Sequence, residues 1–530
     1  MARMNGGEAL VRSLAAEGLR VVFGVPGAGQ YEAIDALYTT PSVRYIAVRH
    51  EQAASYMADG YARASGEVAA ALVVEGPGLF NALSGVATAY ATSSPILVVS
   101  GGHHHRKKGL ELGEEAWLGP LTKWVGRAES PAAIPGLVQE AFVQLRSGRP
   151  RPVGLEVPPS VFAATEEVSL VQPANGSPDS ADPDPQAVQR AAELLVSARR
   201  PVIWAGGGIM RAKAATLVAE LADYLQIPVV TTRQGKGTIS ERHPLSLGMA
   251  EMRFEPLRNW LARRDLILAV GTSHYSSGDG QQVIRIDVDE EEIGDGDYTL
   301  ALQGDAFPVM MALNRAVAAA GPARADKAEA VQAEVAEING ARFDPSRQLQ
   351  PQWGFMEAVH AALPDDAIVI QGMNQMGYYS RNYFRARGPH TYLTSSSHGT
   401  LGCAYPIALG AKVGCPDRVV VSLSGDGGFL YNAQELSTAV QYGINAIAVV
   451  FNDNAYGNVL RAQMEEFDGH VLGTRLHNPD FVAMAQSFGA HGVLAEDADA
   501  LQGALEEAVA GTSGKPVLIE VPVGMLDREF

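Results

Sequence analysis

Cysteine is nearly absent from this sequence of 530 residues, which contains only Cys403 and Cys415. Two thiols cannot build a disulfide framework or a zinc cluster, so neither can stabilise the fold. No apolar run reaches the roughly 18 residues that a membrane-spanning helix needs. The first seven residues also lack the charged and then apolar pattern of a signal peptide. We therefore expect a cytoplasmic protein with no membrane partner.

Positive charge is also scarce, since 41 Lys and Arg against 59 Asp and Glu give a formal net charge of −18. Nucleic-acid binding needs a basic face, and the one dense basic spot, residues 106–108, is typical of a solvated loop. We expect no nucleic-acid partner. The remaining composition, 47% hydrophobic and 19% charged, is ordinary for a globular chain of about three domains.

Apolar strands alternate with amphipathic helices along most of the chain. Uninterrupted Val, Ile and Leu strands separated by helices are typical of parallel sheets covered on both faces. The predicted fold class is therefore α/β, with three doubly wound parallel-sheet domains. Strands are predicted at residues 20–24, 43–48, 68–74 and 95–100, then at 201–205, 227–231, 265–270 and 283–288, and finally at 367–370, 418–423, 444–451 and 516–521.

Two segments divide the chain. Residues 172–185 are rich in Pro, Ser, Asp and Asn and are predicted to form a linker. Residues 316–350 are rich in Ala, Glu and Arg and are predicted to form a helical connector. The predicted domains are accordingly 1–171, 186–320 and 345–530.

A glycine-rich turn at residues 425–428 follows a predicted strand of the third domain. Glycines let an anionic ligand approach the backbone, and free N–H groups at a helix start favour phosphate. The next strand ends at residues 452–455, so Asp426 and Asp453 are expected at the same carboxyl edge of the sheet. Two carboxylates, a backbone carbonyl and two phosphate oxygens suit the octahedral shell of Mg²⁺.

These two segments together resemble the signature of thiamine diphosphate-dependent enzymes, Gly-Asp-Gly followed by paired Asn. The resemblance implies thiamine diphosphate and Mg²⁺ as cofactors, with Asp426, Asp453 and the backbone oxygen of Ala455 as metal ligands. Asp453 replaces the usual second Asn but still offers an oxygen. The resemblance extends over nearly the whole chain and points to the acetolactate synthase-like branch. Its further landmarks are residues 24–27, 75–78, 148–150 and 478–481.

In similar enzymes, a Glu at the position of Glu51 hydrogen-bonds the aminopyrimidine of the cofactor and activates it. That role requires a carboxyl in an apolar, water-poor site that raises its pKa. Taken alone, Glu51 is as well explained as a helix-start residue that interacts with the helix dipole. Together with the Gly-Asp-Gly signature, the catalytic role is favoured.

The resemblance implies further contacts. Leu401 corresponds to the bulky residue that holds the cofactor bent, the alternative being that it only packs its helix. The first domain would bind the pyrimidine and the last the diphosphate, with each active site between two subunits, which implies a homodimer or homotetramer. The implied cofactor-binding residues are Gly372, Asn374, Gln375, His398, Gly399, Leu401, Gly425, Asp426, Gly427, Gly428, Asp453 and Ala455.

Four residues beside motif turns are candidates for contact with a small-molecule substrate of the 2-oxo acid, aldehyde or acyloin type: Gln30, Glu75, Phe80 and His398. Their alternative roles are a helix start for Gln30, a solvated turn for Glu75, core packing for Phe80 and a strand end for His398. The three histidines at 103–105 cannot easily converge on one ion, so a polar loop is predicted there.

The sequence also departs from acetolactate synthases. Ala462 stands where those enzymes place a Trp, and residues 251–254 and 271–275 differ from the segments that flavin-binding relatives carry. FAD is therefore doubtful. The Gly-rich turn at 206–208 lacks the full dinucleotide fingerprint and is predicted to be structural, a nucleotide site being the alternative.

The predicted function is to make or break a C–C bond next to a carbonyl, by 2-oxo acid decarboxylation, carboligation or both. The cofactor supplies the electron sink, and the protein orients and tunes it. Three alternatives stay open: a flavin-containing oxidase of the same fold, an acyloin or 2-hydroxyacyl lyase, and an inactive cofactor-binding scaffold. The presence of Glu51 speaks against the scaffold, which has no need of an activating carboxyl.

Overall fold

The computed structural model describes residues 1–101, 115–173, 183–294, 298–395 and 398–528. Within them, three six-stranded sheets follow one another along the chain, and every strand pair in these sheets is parallel. Helices flank each sheet. The predicted fold class, three doubly wound α/β domains, is confirmed. In this part of the chain, no helix is long and apolar enough to cross a membrane.

The first unit contains one parallel sheet and a short antiparallel pair of strands, one from the beginning of the unit and one from its end. The pair is β1 (Ala2–Asn5) and β8 (Thr165–Val168). The sheet consists of β2 (Val21–Gly24), β3 (Arg44–Ala47), β4 (Ala69–Val73), β5 (Ile96–Ser100), β6 (Trp124–Arg127) and β7 (Val153–Glu156), in the order β3-β2-β4-β5-β7-β6. The helices are α1 (Gly6–Ala16), α2 (Tyr31–Thr39), α3 (Glu51–Ser65), α4 (Pro77–Ala91), α5 (Glu115–Leu118), α6 (Ile134–Arg146) and α7 (Pro159–Ala163).

The central unit has a second sheet. Its strands are β9 (Pro201–Ala205), β10 (Val229–Thr231), β11 (Ser246–Met249), β12 (Leu266–Val270), β13 (Gln282–Asp287) and β14 (Leu300–Gln303), in the order β11-β10-β9-β12-β13-β14. The helices are α8 (Pro185–Ser197), α9 (Gly207–Arg211), α10 (Ala215–Leu225), α11 (Glu255–Leu261), α12 (Glu290–Gly294) and α13 (Ala306–Ala320).

The two predicted connecting segments have different outcomes. The linker predicted at 172–185 ends earlier than expected, because α8 begins at Pro185 and the Asp184 side chain caps it by accepting from the Gln186 N–H. Residues 174–182 lie outside the described chain. The connector predicted at 316–350 is helical at the end of α13 and in α14 (Ala328–Arg342), whereas residues 321–327 and 343–350 are turns and short non-α segments.

The third unit holds the last sheet. Its strands are β15 (Ile368–Gln371), β16 (Tyr392–Thr394), β17 (Val420–Gly425), β18 (Ile447–Asn452), β19 (His491–Leu494) and β20 (Val517–Pro522), in the order β16-β15-β17-β18-β20-β19. The helices are α15 (Gln352–Ala362), α16 (Gln375–Tyr383), α17 (Ala404–Gly414), α18 (Asp426–Phe429), α19 (Glu435–Tyr442), α20 (Gly457–Glu465), α21 (Phe481–Ser487) and α22 (Ala498–Val509).

The first and third units meet where α3 crosses α17 at two glycines. A Cβ on Gly60 would lie 2.1 Å from the carbonyl oxygen of Ile407, and a Cβ on Gly410 would lie 1.9 Å from that of Met57. Any larger residue would therefore force the helix backbones apart. Because of this close packing, apolar residues of both units form one continuous core. The start of α3, where Glu51 lies, is thus fixed relative to the third sheet.

Candidate active site

The carboxyl edge of the third sheet brings two acidic residues together. β17 and β18 are adjacent and parallel, which places Asp426, at the start of α18, next to Asp453, just after β18. Asp426 is buried, Asp453 is half-buried, and their carboxyl groups lie close enough to interact electrostatically. Burial raises the pKa of both carboxyls, and the charge on Asp426 raises the pKa of Asp453 further. The site therefore disfavours two bare negative charges.

Two further groups organise this edge. The backbone N–H of Ala455 donates to Asp453 Oδ1 at 3.1 Å. Asn478, which the sequence analysis used only as a family landmark, donates from Nδ2 to Asp426 Oδ2 at 2.6 Å and to Asn452 Oδ1 at 2.9 Å. Asn478 thus fixes the Asp426 carboxyl. Its separation of 52 residues from Asp426 left no local signal by which to find this contact.

The turn predicted to contact a diphosphate lies beside these carboxyls. The N–H of Gly372 and the Nδ2 of Asn374 both donate to the carbonyl of Leu423, each at 2.9 Å. A Cβ on Gly425 would lie 2.9 Å from the Cβ of Asn374, so a glycine is needed for this approach. Gln375 extends the same edge through a hydrogen bond to Asn458 of α20.

Leu401 lies next to the Gly-Asp-Gly turn but not in a helix. Its Cδ2 is 3.9 Å from the position of a Cβ on Gly428, and it precedes α17 in a turn. The alternative that Leu401 packs its own helix is therefore wrong. Gly399 has a φ of 67°, which favours glycine, and His398 is exposed in the isolated chain.

Glu51 begins α3 and is only half-buried. Its Oε2 accepts from Asn81 Nδ2 at 3.0 Å, and its Oε1 is 3.4 Å from the position of a Cβ on Gly78. The apolar, water-poor site expected around Glu51 is therefore not formed by the described residues of one chain. The start of α3 is nevertheless anchored to the third unit, because Glu435 accepts the N–H groups of Arg49 and His50 at 3.0 and 3.1 Å.

The substrate candidates in the first unit are in unexpected surroundings. Gln30 directly precedes α2, which is the alternative role considered for it, but its side chain is fully buried and neither amide atom has a hydrogen-bond partner in the described chain. Glu75 is not a solvated turn residue, because its Oε2 is buried. Phe80 is not a core residue, since 42% of it is exposed. Its ring packs edge-to-face on Trp117, with centroids 5.2 Å apart.

A cavity of about 1760 Å³ separates the first and central units, and the turn at 206–208 lies at its edge. The N–H groups of Gly206 and Gly208 donate to the carbonyls of Val270 and Gly271, so they are not free to hold a phosphate. A Cβ on Gly206 would lie 2.1 Å from the Gly271 oxygen. These contacts support the structural interpretation of the turn, and they do not support FAD.

Some predicted features fall outside the described chain, namely the histidines at 103–105 and the basic residues at 106–108. Among the residues described, no group of three or more His, Cys, Asp or Glu side chains could hold a metal ion. Asp426 and Asp453 would therefore need oxygen ligands from the backbone and from a bound ligand to complete a metal shell.

Comparisons with known proteins agree with this arrangement. Three family models match successive parts of the chain: "Thiamine pyrophosphate enzyme, N-terminal TPP binding domain" at residues 4–122, "Thiamine pyrophosphate enzyme, central domain" at 188–313 and "Thiamine pyrophosphate enzyme, C-terminal TPP binding domain" at 372–521.

Similar curated proteins cover almost the whole chain. A "Probable acetolactate synthase large subunit" of Methanocaldococcus jannaschii is 32% identical over 98% of this chain and 92% of its own length. A "Probable 2-ketoarginine decarboxylase" of Pseudomonas aeruginosa is 35% identical over 94% of this chain and 91% of its own length. The "Acetolactate synthase large subunit" of Corynebacterium glutamicum is 32% identical over 98% of this chain and 87% of its own length. This chain therefore belongs to the family of thiamine pyrophosphate-dependent enzymes, and to its acetolactate synthase-like branch.

Proposed function

We propose that this enzyme binds thiamine diphosphate through Mg²⁺ at the carboxyl edge of the third sheet and removes carbon dioxide from a 2-oxo acid. A proton or a second carbonyl compound completes the reaction, giving decarboxylation or carboligation. The observation that carries the proposal is the pairing of Asp426 with Asp453 beside a glycine-rich helix start. The names of the relatives, which include synthases of acetolactate and a decarboxylase of 2-ketoarginine, support this class of reaction.

The donor set suits a hard divalent cation. Asp426 and Asp453 offer carboxylate oxygens and Ala455 a backbone oxygen, which are the ligand types that Mg²⁺ prefers. Burial and then the charge on Asp426 raise the pKa of Asp453, and a cation between the two carboxyls would offset the repulsion between them. With only three protein oxygens, the remaining ligand positions are left for diphosphate and water.

Thiamine diphosphate, when bound, supplies an electron sink for cleaving or forming a bond beside a carbonyl. In this proposal the carboxyl group of Glu51 would hold a proton toward the aminopyrimidine, and the side chain of Leu401 would support the cofactor from the third unit. The N–H groups of residues 425–428 at the start of α18 hold the diphosphate, together with the polar turn at 372–375.

A second copy of the chain would complete the site, so we propose that the enzyme acts as a homodimer or homotetramer. Glu51 is only half-buried in one chain, although its proposed role requires a site without water. Exposed aromatic residues lie near both halves of the site: Phe80 is 42% exposed and Tyr431, beside Gly402, is 48% exposed. Covering these surfaces with a partner chain would also enclose Glu51.

The second carbonyl compound, the acceptor of a carboligation, is not defined by the position at which this chain differs from acetolactate synthases. Ala462 lies on α20, half-buried, where those enzymes carry a Trp. A methyl group in place of an indole leaves a larger space beside α20. That space suits a longer side chain on the donor 2-oxo acid better than a tightly held second molecule of pyruvate.

The first experiment measures carbon dioxide release and acyloin formation from a panel of 2-oxo acids, with thiamine diphosphate and Mg²⁺ present or omitted. We expect turnover only with both cofactors. Glu51→Gln should lower kcat by about 10²- to 10⁴-fold, the usual contribution of a positioned proton-transfer group, while cofactor binding persists. Glu32→Gln, at the start of α2, is the matched control and should not change kcat.

Two outcomes would contradict the proposal. Wild-type turnover in Glu51→Gln would exclude the proton-transfer role of this carboxyl. Saturable cofactor binding without turnover of any 2-oxo acid would instead favour a lyase that acts on a preformed acyloin or 2-hydroxyacyl substrate.

A further inference from the structure

Two carboxyl groups flank the turn at 76–78 in the first unit. Glu51 lies on one side, with Oε1 3.4 Å from the position of a Cβ on Gly78. The side chain of Val74 is wedged between Gly27 and Gly78, because a Cβ on either glycine would lie 2.6 Å from one of its methyl carbons. Glu75 is the next residue along the chain. The turn at 76–78 therefore joins Glu75 to Gly78, the residue next to which the Glu51 carboxyl lies.

The carboxyl group of Glu75 occupies a cleft that two glycines leave open. A Cβ on Gly101 would lie 2.4 Å from Oε2, and a Cβ on Gly29 would lie 3.3 Å from it. Gly101 follows β5, and Gly29 belongs to the loop after β2. The cleft is therefore at the carboxyl edge of the first sheet, the edge where doubly wound sheets bind their ligands.

This cleft contains polar groups that the protein does not satisfy. The Oε2 of Glu75 is buried and has no hydrogen-bond partner among the described residues. Gln30, directly after Gly29, is fully buried, and its Oε1 and Nε2 are likewise without partners there. Buried polar groups are normally hydrogen-bonded, and a buried carboxylate is normally paired with a cation. A ligand that brings hydrogen-bond donors and positive charge would satisfy both side chains.

We propose that Glu75, assisted by the amide of Gln30, selects a 2-oxo acid whose side chain ends in a cation, a guanidinium or an ammonium group. The inference rests on the function proposed above and adds its substrate class. A carboxylate at this edge of the first sheet, where Glu51 also lies, repels the anionic 2-oxo acid group that every such substrate carries. A positive charge at the far end of the substrate offsets this repulsion, whereas a neutral or acidic side chain does not.

The test uses two substrates that differ only in charge: 2-oxo-5-guanidinopentanoate and its uncharged isostere, 2-oxo-5-ureidopentanoate. The holoenzyme, with thiamine diphosphate and Mg²⁺, should show a kcat/KM at least 100-fold higher for the guanidino acid. Glu75→Gln should lower kcat/KM for that acid by about 30- to 1000-fold, the loss expected when one partner of a buried charge pair is removed. For the ureido acid, kcat/KM should stay the same or rise.

Glu67→Gln is the matched control, because Glu67 is an exposed carboxyl just after α3. It should leave the preference unchanged. Cofactor binding, followed by tryptophan fluorescence, reports whether Glu75→Gln is folded. A wild-type enzyme that does not distinguish the two acids, or that prefers 2-oxoglutarate, overturns the proposal. An equal loss on both acids in Glu75→Gln also overturns it, because that result assigns Glu75 to a general proton-transfer role.

Failure of the proposed function is recognised separately. If no 2-oxo acid is turned over although the cofactor binds, calorimetric titration of the two acids still tests Glu75. Tighter binding of the guanidino acid that disappears in Glu75→Gln supports the specificity role, and equal binding of the two acids refutes it.

Discussion

Replacing Glu435 with glutamine should stabilise the protein above pH 7 and leave its stability almost unchanged near pH 5. Glu435 is fully buried at the start of α19. It accepts the N–H groups of Arg49 and His50 and, at 2.5 Å, the hydroxyl of Thr438. Burial raises the pKa of its carboxyl to about 7 despite these donors.

The direction of this change in stability follows from the linkage between proton binding and folding. The folded protein keeps Glu435 protonated over a pH range in which the unfolded chain, with an ordinary carboxyl pKa, has released that proton. The resulting stabilisation is fully present below about pH 4.5 and is lost as the pH rises through about 7. The gap between the two pKa values corresponds to about 3 kcal/mol at about 1.4 kcal/mol per pKa unit. Glutamine removes this dependence, because it stays neutral while its Oε1 still accepts the two N–H groups.

Urea unfolding of the wild type and of Glu435→Gln at pH 5, 6, 7 and 8 measures the effect. The free energy of unfolding of the variant, relative to wild type, should rise from near zero at pH 5 to about 3 kcal/mol at pH 8. Glu507→Gln, an exposed carboxyl on α22, should show no such trend. Glu435→Ala leaves two N–H groups without an acceptor and should lose about 2–4 kcal/mol near pH 5. Because alanine also removes the titrating carboxyl, this loss relative to wild type should shrink by about 3 kcal/mol toward pH 8. A difference between Glu435→Gln and wild type that does not vary with pH would refute the reasoning.

Two further predictions concern stability. Gly410→Ala places a methyl group 1.9 Å from the Met57 oxygen and should destabilise the protein by about 3 kcal/mol in thermal or urea unfolding. The control Gly340→Ala meets no atom within 4 Å and should be neutral or slightly stabilising. Equal unfolding midpoints for the two variants would contradict the close crossing of α3 and α17. Lys236→Met leaves Glu241, its partner at 2.6 Å, as an unpaired buried charge and should cost about 3–5 kcal/mol. Adding Glu241→Gln should restore part of that loss, and an additive loss in the double variant would argue against the ion pair.

The local sequence was sufficient to predict an element wherever the residues of one segment alone determine the structure that it forms. The strand at 201–205 was predicted with the bounds that β9 has, because five consecutive residues with no polar side chain indicate a strand buried on both faces. Gly66 ends α3 in the left-handed conformation that glycine favours, which is again a requirement of the local backbone. The Gly-Asp-Gly turn was likewise recognisable because its glycines are required by the local backbone.

The strands that were missed show where local pattern fails. Five of the six edge strands of the three parallel sheets were not predicted: β6, β11, β14, β16 and β19. Each has only three or four residues, and some carry polar or glycine positions. Such segments become strands because a neighbouring strand satisfies their backbone groups, which depends on tertiary context more than on intrinsic preference.

Contacts between distant segments were decided by the tertiary structure alone. Asn478 holds Asp426 across 52 residues, and Glu435 holds the start of α3 across 386. The cleft around Glu75 exists because two glycines from separate loops face the same carboxyl oxygen. The sequence therefore determined the family, the cofactor class and the residue types of the candidate site. Folding decided which carboxyl groups are paired, which are buried without a partner among the described residues and which stay partly exposed, because these depend on distances that no local pattern encodes.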